Sequence, residues 1–378
     1  MSQERSSLPA ILERSRTKVV FGAGTLDQLG RLAAEAGGSR VLLVSDPGIV
    51  RAGHVERAVT LVRAAGLSVE VFDGVDENPT TEHVARGVNA ARAFEADLLV
   101  GLGGGSSMDC AKGVNFILTN GGEMQDYWGV GKAMKSMLPM IAVPTTAGTG
   151  SEAQSFALIC DVISKQKMAC GDPKAACVAA ILDPDLTRTV PRAVAAATGI
   201  DAVAHAVETA GSTKRNEVSL AFTREAWKLL DRAFDRAIDD PEDAAARADM
   251  LLGAHLAGAA IEHAMLGAAH ACANPITARF SATHGLAVGA LLPHVVRFNV
   301  AYGRSPYEAI FGDPEVLIGR LEGMLSHAGL PRSLRAFGVD DAILPELADE
   351  ASKQWTAAFN PIPVGPSELA TIYRSALG

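Results

Sequence analysis

The chain has 378 residues, of which 48% are apolar and 20% charged, and it carries a net charge of −9. That length exceeds what one hydrophobic core usually supports, so two domains with a cleft are expected, and the near-average composition excludes a disordered, fibrous or low-complexity chain. The acidic balance and the lack of a long basic run disfavour nucleic acid as a partner.

The opening segment, Met1 to Lys18, is polar and charged. It lacks the apolar core of a signal peptide, and no stretch approaches the roughly 18 apolar residues of a membrane span, so the expected compartment is the cytoplasm, with no membrane partner. Short apolar runs then alternate with helical stretches: Arg40 to Ser45, Ser68 to Phe72, Asp97 to Gly101 and Met140 to Val143. Such alternation predicts βαβ units, and runs without polar alternation predict parallel strands covered on both faces by helices. From about Pro191 the texture turns to long Ala-, Leu- and Glu-rich segments, such as Glu217 to Ala237 and Pro241 to His263, which read as helices. The turn residues of DPDLTRTVP place the domain boundary near residues 185 to 192. Five cysteines without a CxxC pair indicate neither a disulfide framework nor a thiolate zinc site, and read as buried reduced thiols.

After the strand DLLVG comes Gly101-Leu102-Gly103-Gly104-Gly105-Ser106-Ser107-Met108-Asp109-Cys110-Ala111-Lys112, running into a helix. Glycines allow close backbone approach and positive φ, and the free N–H groups of a helix N-terminus attract an anion such as a pyrophosphate. The same residues also suit a plain βα connector, and they match neither GxGxxG nor the P-loop spacing. A second loop, Pro144 to Glu152, carries Thr145, Thr146 and Thr149 after the next strand and should lie beside the first; its hydroxyls suit a nucleotide or simple turn chemistry. Asp46 follows the first strand, where a carboxylate can bind an adenosine ribose and repel a 2′-phosphate, or open an Asp-Pro-Gly turn.

In the second half, Asp201 and His205 are four apart in a helical stretch, which puts them on one face. His270 and His284 sit among small residues that permit a compact site. One carboxylate and three imidazoles suit Fe²⁺ or Zn²⁺ with room for a substrate oxygen. His54, His83, His255, His294 and His327 read as structural or surface residues. His263, seven residues before His270, could share its helix face two turns away.

The motifs FGAGTLDQLG, ENPT, GGGSSMDCAK, PTTAGTGSEA, DPDLTRTVP, GIDAVAHAVE, HGLAVGALLPHVVRFN and HAGLP occur in one order along nearly the whole chain, which resembles the iron-containing (group III) alcohol dehydrogenase family on the dehydroquinate-synthase-like fold. The resemblance implies an α/β N-terminal domain with a parallel, Rossmann-like dinucleotide-binding sheet over residues 1–188. It implies an all-α helical metal-binding domain over 189–378, with the metal at the cleft. It places Asp201, His205, His270 and His284 on metal-ligand positions, Gly103, Gly104, Gly105, Ser106 and Asp109 in the pyrophosphate loop, and Asp46, Thr145, Thr146 and Thr149 on nucleotide contacts. Lys167 resembles a lysine that reaches the cofactor ribose, and Asn78 lines the same pocket. Where many relatives carry a proton-relaying histidine, this chain has Asn274, whose amide does not titrate near neutrality, so proton release falls to water, a ribose hydroxyl or His263.

The expected activity is hydride transfer between NAD(H), rather than NADP, and a small alcohol or aldehyde, assisted by Fe²⁺ or another divalent metal such as Zn²⁺, in a homodimer or larger homo-oligomer. Two alternatives stand beside it: reduction of an oxo-acid or phosphonate aldehyde on the same scaffold, and a nucleotide- and metal-binding homologue with impaired catalysis. A cyclisation of the dehydroquinate-synthase type is disfavoured, because AMLGAAHACANP offers no counter-charges for a phosphorylated acid.

Overall fold

A computed structural model describes residues 8–164, 166–302 and 306–378. The first seven residues of the polar opening segment, and Lys165 at the head of the KQKMA segment that holds Lys167, lie outside the described residues. The chain forms two compact units. The first comprises Met1–Thr145, Ser151–Val162 and Lys167–Leu186; the second comprises Thr146–Gly150, Ile163–Gln166 and Thr187–Gly378.

The first unit contains strands β1 (Lys18–Phe21), β2 (Arg40–Val44), β3 (Ser68–Phe72), β4 (Leu98–Gly103), β5 (Gly129–Val130), β6 (Met140–Pro144), β7 (Phe156–Cys160), β8 (Lys167–Gly171) and β9 (Ala179–Leu182). Its α-helices are α1 (Leu29–Glu35), α2 (Pro47–Arg51), α3 (His54–Ala64), α4 (Thr81–Phe94) and α5 (Gly105–Asn120). Six strands form one parallel sheet in the order β1-β9-β6-β4-β2-β3. Strand β2 lies between β3 and β4, so the chain order reverses there, which is where ligands of such sheets bind beyond the strand ends.

The expected strands are present, β3 with the same ends and the others with ends shifted by one or two residues; β1 and β9 add to the sheet beyond them. Alternate residues serve opposite faces, as the apolar runs predicted. Leu42, Val44 and Leu99 pack with Val84, Val88 and Val114 of α4 and α5, while Val41, Leu43 and Val100 pack with Leu29, Leu32, Ala58 and Val62 of α1 and α3. A second small sheet, β5-β8-β7, includes the antiparallel pair β7 and β8, which alternation of strands and helices did not indicate. Cys110, Cys170, Cys177 and Cys272 are free and buried; Cys160, free and half-buried, departs from the expectation for all five.

The second unit is helical: α6 (Arg192–Gly211), α7 (Glu217–Asp239), α8 (Ala244–His263), α9 (Ala268–Phe280), α10 (His284–Ala301), α11 (Glu308–Phe311), α12 (Pro314–Ala328), α13 (Leu344–Ser352) and α14 (Pro366–Leu377). Helix α7 is amphipathic and opens on Asn216, whose side chain accepts from the N–H groups of Val218 and Ser219. Helix α6 is buried from Gly199 to Gly211, and its alanines let neighbours approach on every side. No described helix is long and apolar enough to cross a membrane.

Candidate active site

In the first unit, the end of β4 turns into α5 within two residues. Gly103 has φ +147°, and a Cβ there would lie 2.5 Å from Ser107 Oγ and 3.1 Å from Asp46 Oδ2, so only glycine fits. Gly104 caps α5 without a side-chain hydrogen bond, leaving first-turn N–H groups without that partner. The two loops are neighbours as expected: Gly103 pairs with Pro144, and Thr145 N donates to Gly103 O at 2.9 Å. The Thr145 hydroxyl is buried without a hydrogen-bond partner.

Asn78, Ser106 and Lys167 come together. Asn78 N donates to Ser106 Oγ at 3.2 Å, and Lys167 Nζ donates to Asn78 Oδ1 at 3.3 Å. Asn78 has φ +56°, a left-handed conformation that a short polar side chain tolerates.

Asp46 caps α2: its Oδ1 accepts from Gly48 N at 2.9 Å and Ile49 N at 3.1 Å, while Ser107 Oγ donates to Oδ2 at 3.1 Å. The turn-opening role therefore coexists with a position at the chain reversal, and Oδ2 is the oxygen with capacity to spare.

Asp109 turns into the interior, 8% exposed, and accepts from Ser151 Oγ at 2.6 Å. Burial pushes its carboxyl upward, against the opposing charge of Lys112. Lys112, fully buried, donates to Ser151 O at 2.6 Å, Ser151 Oγ at 2.9 Å, Gln154 O at 2.8 Å and Phe156 O at 2.9 Å. Asp109 and Lys112 thus brace the second loop from beneath. Thr146 and Thr149 belong to the segment that groups with the helical unit, where Gly148 packs on Thr198 and Gly150 on Gly258.

In the second unit, the four residues expected to hold a metal converge. From Asp201 Oδ1, His205 Nε2 is 3.6 Å away, His270 Nε2 3.5 Å and His284 Nε2 4.0 Å. Donor atoms of Asp201, His270 and His284 all lie within 4.8 Å of one another. The His205 and His270 rings stack at 5.0 Å between centroids.

Close helix packing produces this arrangement. A Cβ at Gly285 would lie 2.0 Å from Ala197 O and 3.2 Å from Asp201 Cβ, so glycine lets the start of α10 touch α6 and brings His284 beside Asp201. Gly267 before α9 would likewise put a Cβ 3.2 Å from Glu208 Oε1.

Glu208 carries no expected role in the sequence, yet it orients the set. Its Oε2 accepts from His270 Nδ1, and its Oε1 accepts from Ala269 N at 2.7 Å. Holding one proton on Nδ1 means that, once the ring gives up its second proton to an incoming cation, the Nε2 lone pair points toward Asp201. The available signal was spacing: Asp201, His205 and Glu208 fall at i, i+4 and i+7, one helix face.

Asp201 Oδ1 and His270 Nε2 are buried without a hydrogen bond, the mark of atoms facing a shared cation. Burial alone would raise the Asp201 carboxyl, but the charge of His205, the contact with His270 and the charge of His284 hold it far below the usual range. Burial depresses His205 despite Asp201 beside it. Burial opposes protonation of His270 too, but Glu208 and Asp201 on either side push it up to about 9. The set therefore offers an anion and borderline nitrogen donors, which fits a divalent first-row metal.

Asn274 lies one turn beyond His270 and donates from Nδ2 to Gln354 Oε1 at 3.0 Å. His263 does not share a helix face with His270, as the seven-residue spacing suggested: it ends α8, and α9 begins only at Ala268 after a break in the helix; its ring stacks on Phe222 at 5.7 Å, and its carbonyl accepts from Asn216 Nδ2 at 2.6 Å.

The model of the iron-containing alcohol dehydrogenases matches residues 16–184, and that of the family's C-terminal part matches residues 195–377. The chain belongs to the iron-containing alcohol dehydrogenase family. Like other members of that family, it is an oxidoreductase acting on alcohols. It is 34% identical to alcohol dehydrogenase 4 of Schizosaccharomyces pombe over 95% of this chain and 87% of that protein. It is 33% identical to the 1,3-propanediol dehydrogenase of Citrobacter freundii, covering 94% and 96% of the two chains. Among solved structures, a 1,3-propanediol oxidoreductase superposes with a TM-score of 0.90 at 32% identity, over 95% of this chain and 97% of the other. The sulfoacetaldehyde reductase of Bifidobacterium kashiwanohense in complex with NAD⁺ superposes with a TM-score of 0.87 at 25% identity, over 96% and 98%.

Proposed function

We propose that this alcohol dehydrogenase uses NAD(H) and one divalent metal, Fe²⁺ foremost, to interconvert a small alcohol and its aldehyde. Residues 1–188 serve as the nucleotide-binding half and 189–378 as the metal-binding half. The observation that carries the reading is the convergence of Asp201, His205, His270 and His284, with His270 fixed by Glu208.

Alcohol oxidation removes a hydride and a proton; the nicotinamide supplies the hydride acceptor and the metal the Lewis acidity that favours alkoxide. The chain's own residues bind and orient. Asp201 supplies the negative charge that draws the cation, and the three imidazoles supply neutral nitrogens. Gly103, Gly104 and Gly105 admit the pyrophosphate, and Ser106, Asn78 and Lys167 form one polar cluster for the nicotinamide-side sugar. Thr145, with its unpartnered hydroxyl, serves the same nucleotide, as do Thr146 and Thr149, and Asp109 acts by bracing the loop. Oδ2 of Asp46 accepts from the adenosine ribose and disfavours the 2′-phosphate of NADP. The NAD⁺ bound to the sulfoacetaldehyde reductase supports the same choice. Because the Asn274 amide does not titrate near neutrality, the proton leaves through water, a ribose hydroxyl or His263.

A second reading, reduction of an aldehyde bearing an anionic group, is favoured by one observation, the likeness to that sulfonate-aldehyde reductase. The enzyme is further proposed to work in the cytoplasm as a homodimer or larger assembly, which light scattering would measure. Metal-loaded protein with NADH and a panel of short aldehydes should lose absorbance at the reduced-nicotinamide band. A flat trace across the panel, with metal and nucleotide verified bound, would exclude the proposal.

A further inference from the structure

Helix α9 carries His270 in its first turn, and its own cap is Gly267, which has no side chain to accept from the free N–H groups there. Two acceptors from elsewhere serve consecutive residues instead: Glu208 Oε1 accepts from Ala269 N at 2.7 Å, and Asn360 Oδ1 from Ala268 N at 3.3 Å. A Cβ at position 267 would lie 3.2 Å from both oxygens, so a serine or aspartate cap of the usual kind is crowded out by the acceptors that replace it.

Asn360 is itself held on every side. It is buried, follows the turn Trp355–Phe359, and uses all four hydrogen-bonding positions of its amide. Oδ1 also accepts from Asn299 Nδ2 at 3.2 Å, while Nδ2 donates to Asn299 Oδ1 at 2.7 Å and to Ile362 O at 2.8 Å. The N–H of Ala268 on one side and the carbonyl of Ile362 on the other admit only one orientation of that amide. Asn299, buried near the end of α10, donates from Nδ2 to Tyr307 Oη at 2.8 Å as well. Buried Tyr307 lies against Gly211 at the end of α6, where a Cβ would stand 3.2 Å from its hydroxyl. The three helices that bear Asp201, His205, His270 and His284 therefore meet in one buried polar network.

We propose that Asn360 is a positioning residue for His270: together with Glu208 it fixes the first turn of α9 against α6, so that Nε2 of His270 stands where a cation beside Asp201 requires it. The proposal rests on the metal site proposed above and extends its support beyond Glu208. Glu208 acts on the imidazole ring, whereas Asn360 acts on the backbone that carries it. Metal sites tolerate errors of only about 0.2 Å in donor distance. Without Asn360 the Ala268 N–H is buried and unpaired, a cost that is relieved by shifting the turn that holds His270.

The test replaces Asn360 with alanine and, one step further back, Asn299 with serine, each checked by circular dichroism. Arg320→Gln is the comparison, because it removes ion pairs between α12 and α7 that involve none of these residues. Each protein is titrated anaerobically with Co²⁺ against a chelator, and the visible d–d spectrum of the Co²⁺ form reports donor set and geometry. Asn360→Ala should bind Co²⁺ about 10-fold more weakly with an altered spectrum, and Asn299→Ser should show a smaller loss in the same direction. Both should keep NADH affinity within about twofold of wild type, and Arg320→Gln should lose urea stability alone. Wild-type Co²⁺ affinity and spectrum in Asn360→Ala would overturn the proposal and leave the network as a structural tie, as would a parallel fall in NADH affinity. Should Asn360→Ala not fold, Asn299→Ser decides by the same criteria. A wild type that takes up neither Co²⁺ nor Fe²⁺ would sink the metal site itself and this proposal with it, so the wild-type titration tells the two failures apart.

Discussion

Replacing Glu208 by glutamine should weaken metal binding without removing a ligand. Glu208 now accepts twice, from Ala269 N at 2.7 Å and from His270 Nδ1, and is 5% exposed. A glutamine has one acceptor. If its oxygen stays with Ala269 N, its NH₂ faces His270 Nδ1 and drives the ring proton to Nε2, the atom 3.5 Å from Asp201. That nitrogen can then coordinate only after the tautomer reverts. Loss of such an orienting carboxylate costs about 10- to 100-fold in metal affinity, or about 1.4–2.7 kcal/mol. The assay is anaerobic competition of Fe²⁺, or of Zn²⁺, between the apo-protein and a chelator of known affinity. Glu208→Gln affinity within threefold of wild type, in a protein with unchanged circular dichroism, would refute the orienting role.

Metal uptake should also depend on pH in a stated direction. His270 in the metal-free protein is pushed up to about 9, so below that pH a proton must leave before Nε2 can coordinate. Affinity should rise with pH by about tenfold per unit from pH 7 toward 9 and flatten above, with one proton released per metal bound; a flat profile in calorimetry run in buffers of different ionisation enthalpy would contradict this. Gly285→Ala, whose Cβ would stand 2.0 Å from Ala197 O, should force α10 from α6 at a cost of about 1–3 kcal/mol and displace His284; urea unfolding and metal affinity should both fall. Lys112→Met should remove the donor to three carbonyls and the counter-charge of buried Asp109, destabilising by about 3–5 kcal/mol in urea unfolding, with nucleotide binding weakened through the loosened second loop.

The sequence made the sheet legible where strands are long apolar runs ending in glycine or polar loops, as at β2, β3, β4 and β6. It hid β1 and β9, whose four residues each are too short to show a period, and the small sheet, whose antiparallel pair breaks the strand–helix alternation. The convergence of Asp201, His205, His270 and His284 could be anticipated only in part from local spacing. The i, i+4 pair is local, whereas His270 and His284 arrive through contacts that Gly285 and Gly267 permit, and a lone glycine does not announce its neighbour. Glu208 was overlooked because its role appears only against His270, 62 positions away in sequence. Asp109 sits in the glycine-loop motif yet faces inward, because a residue four places into α5 lies on the side of the helix that meets the second loop.

The most direct test of a metal-assisted hydride transfer at Asp201, His205, His270 and His284 is reduction of an aldehyde by NADH deuterated at C4, using protein reconstituted anaerobically with one Fe²⁺ per chain. The account predicts stoichiometric deuterium at C1 of the alcohol product, and loss of both bound iron and turnover in Asp201→Asn. Undiminished turnover in the iron-free variant, or an alcohol whose C1 hydrogen comes from solvent, would contradict it.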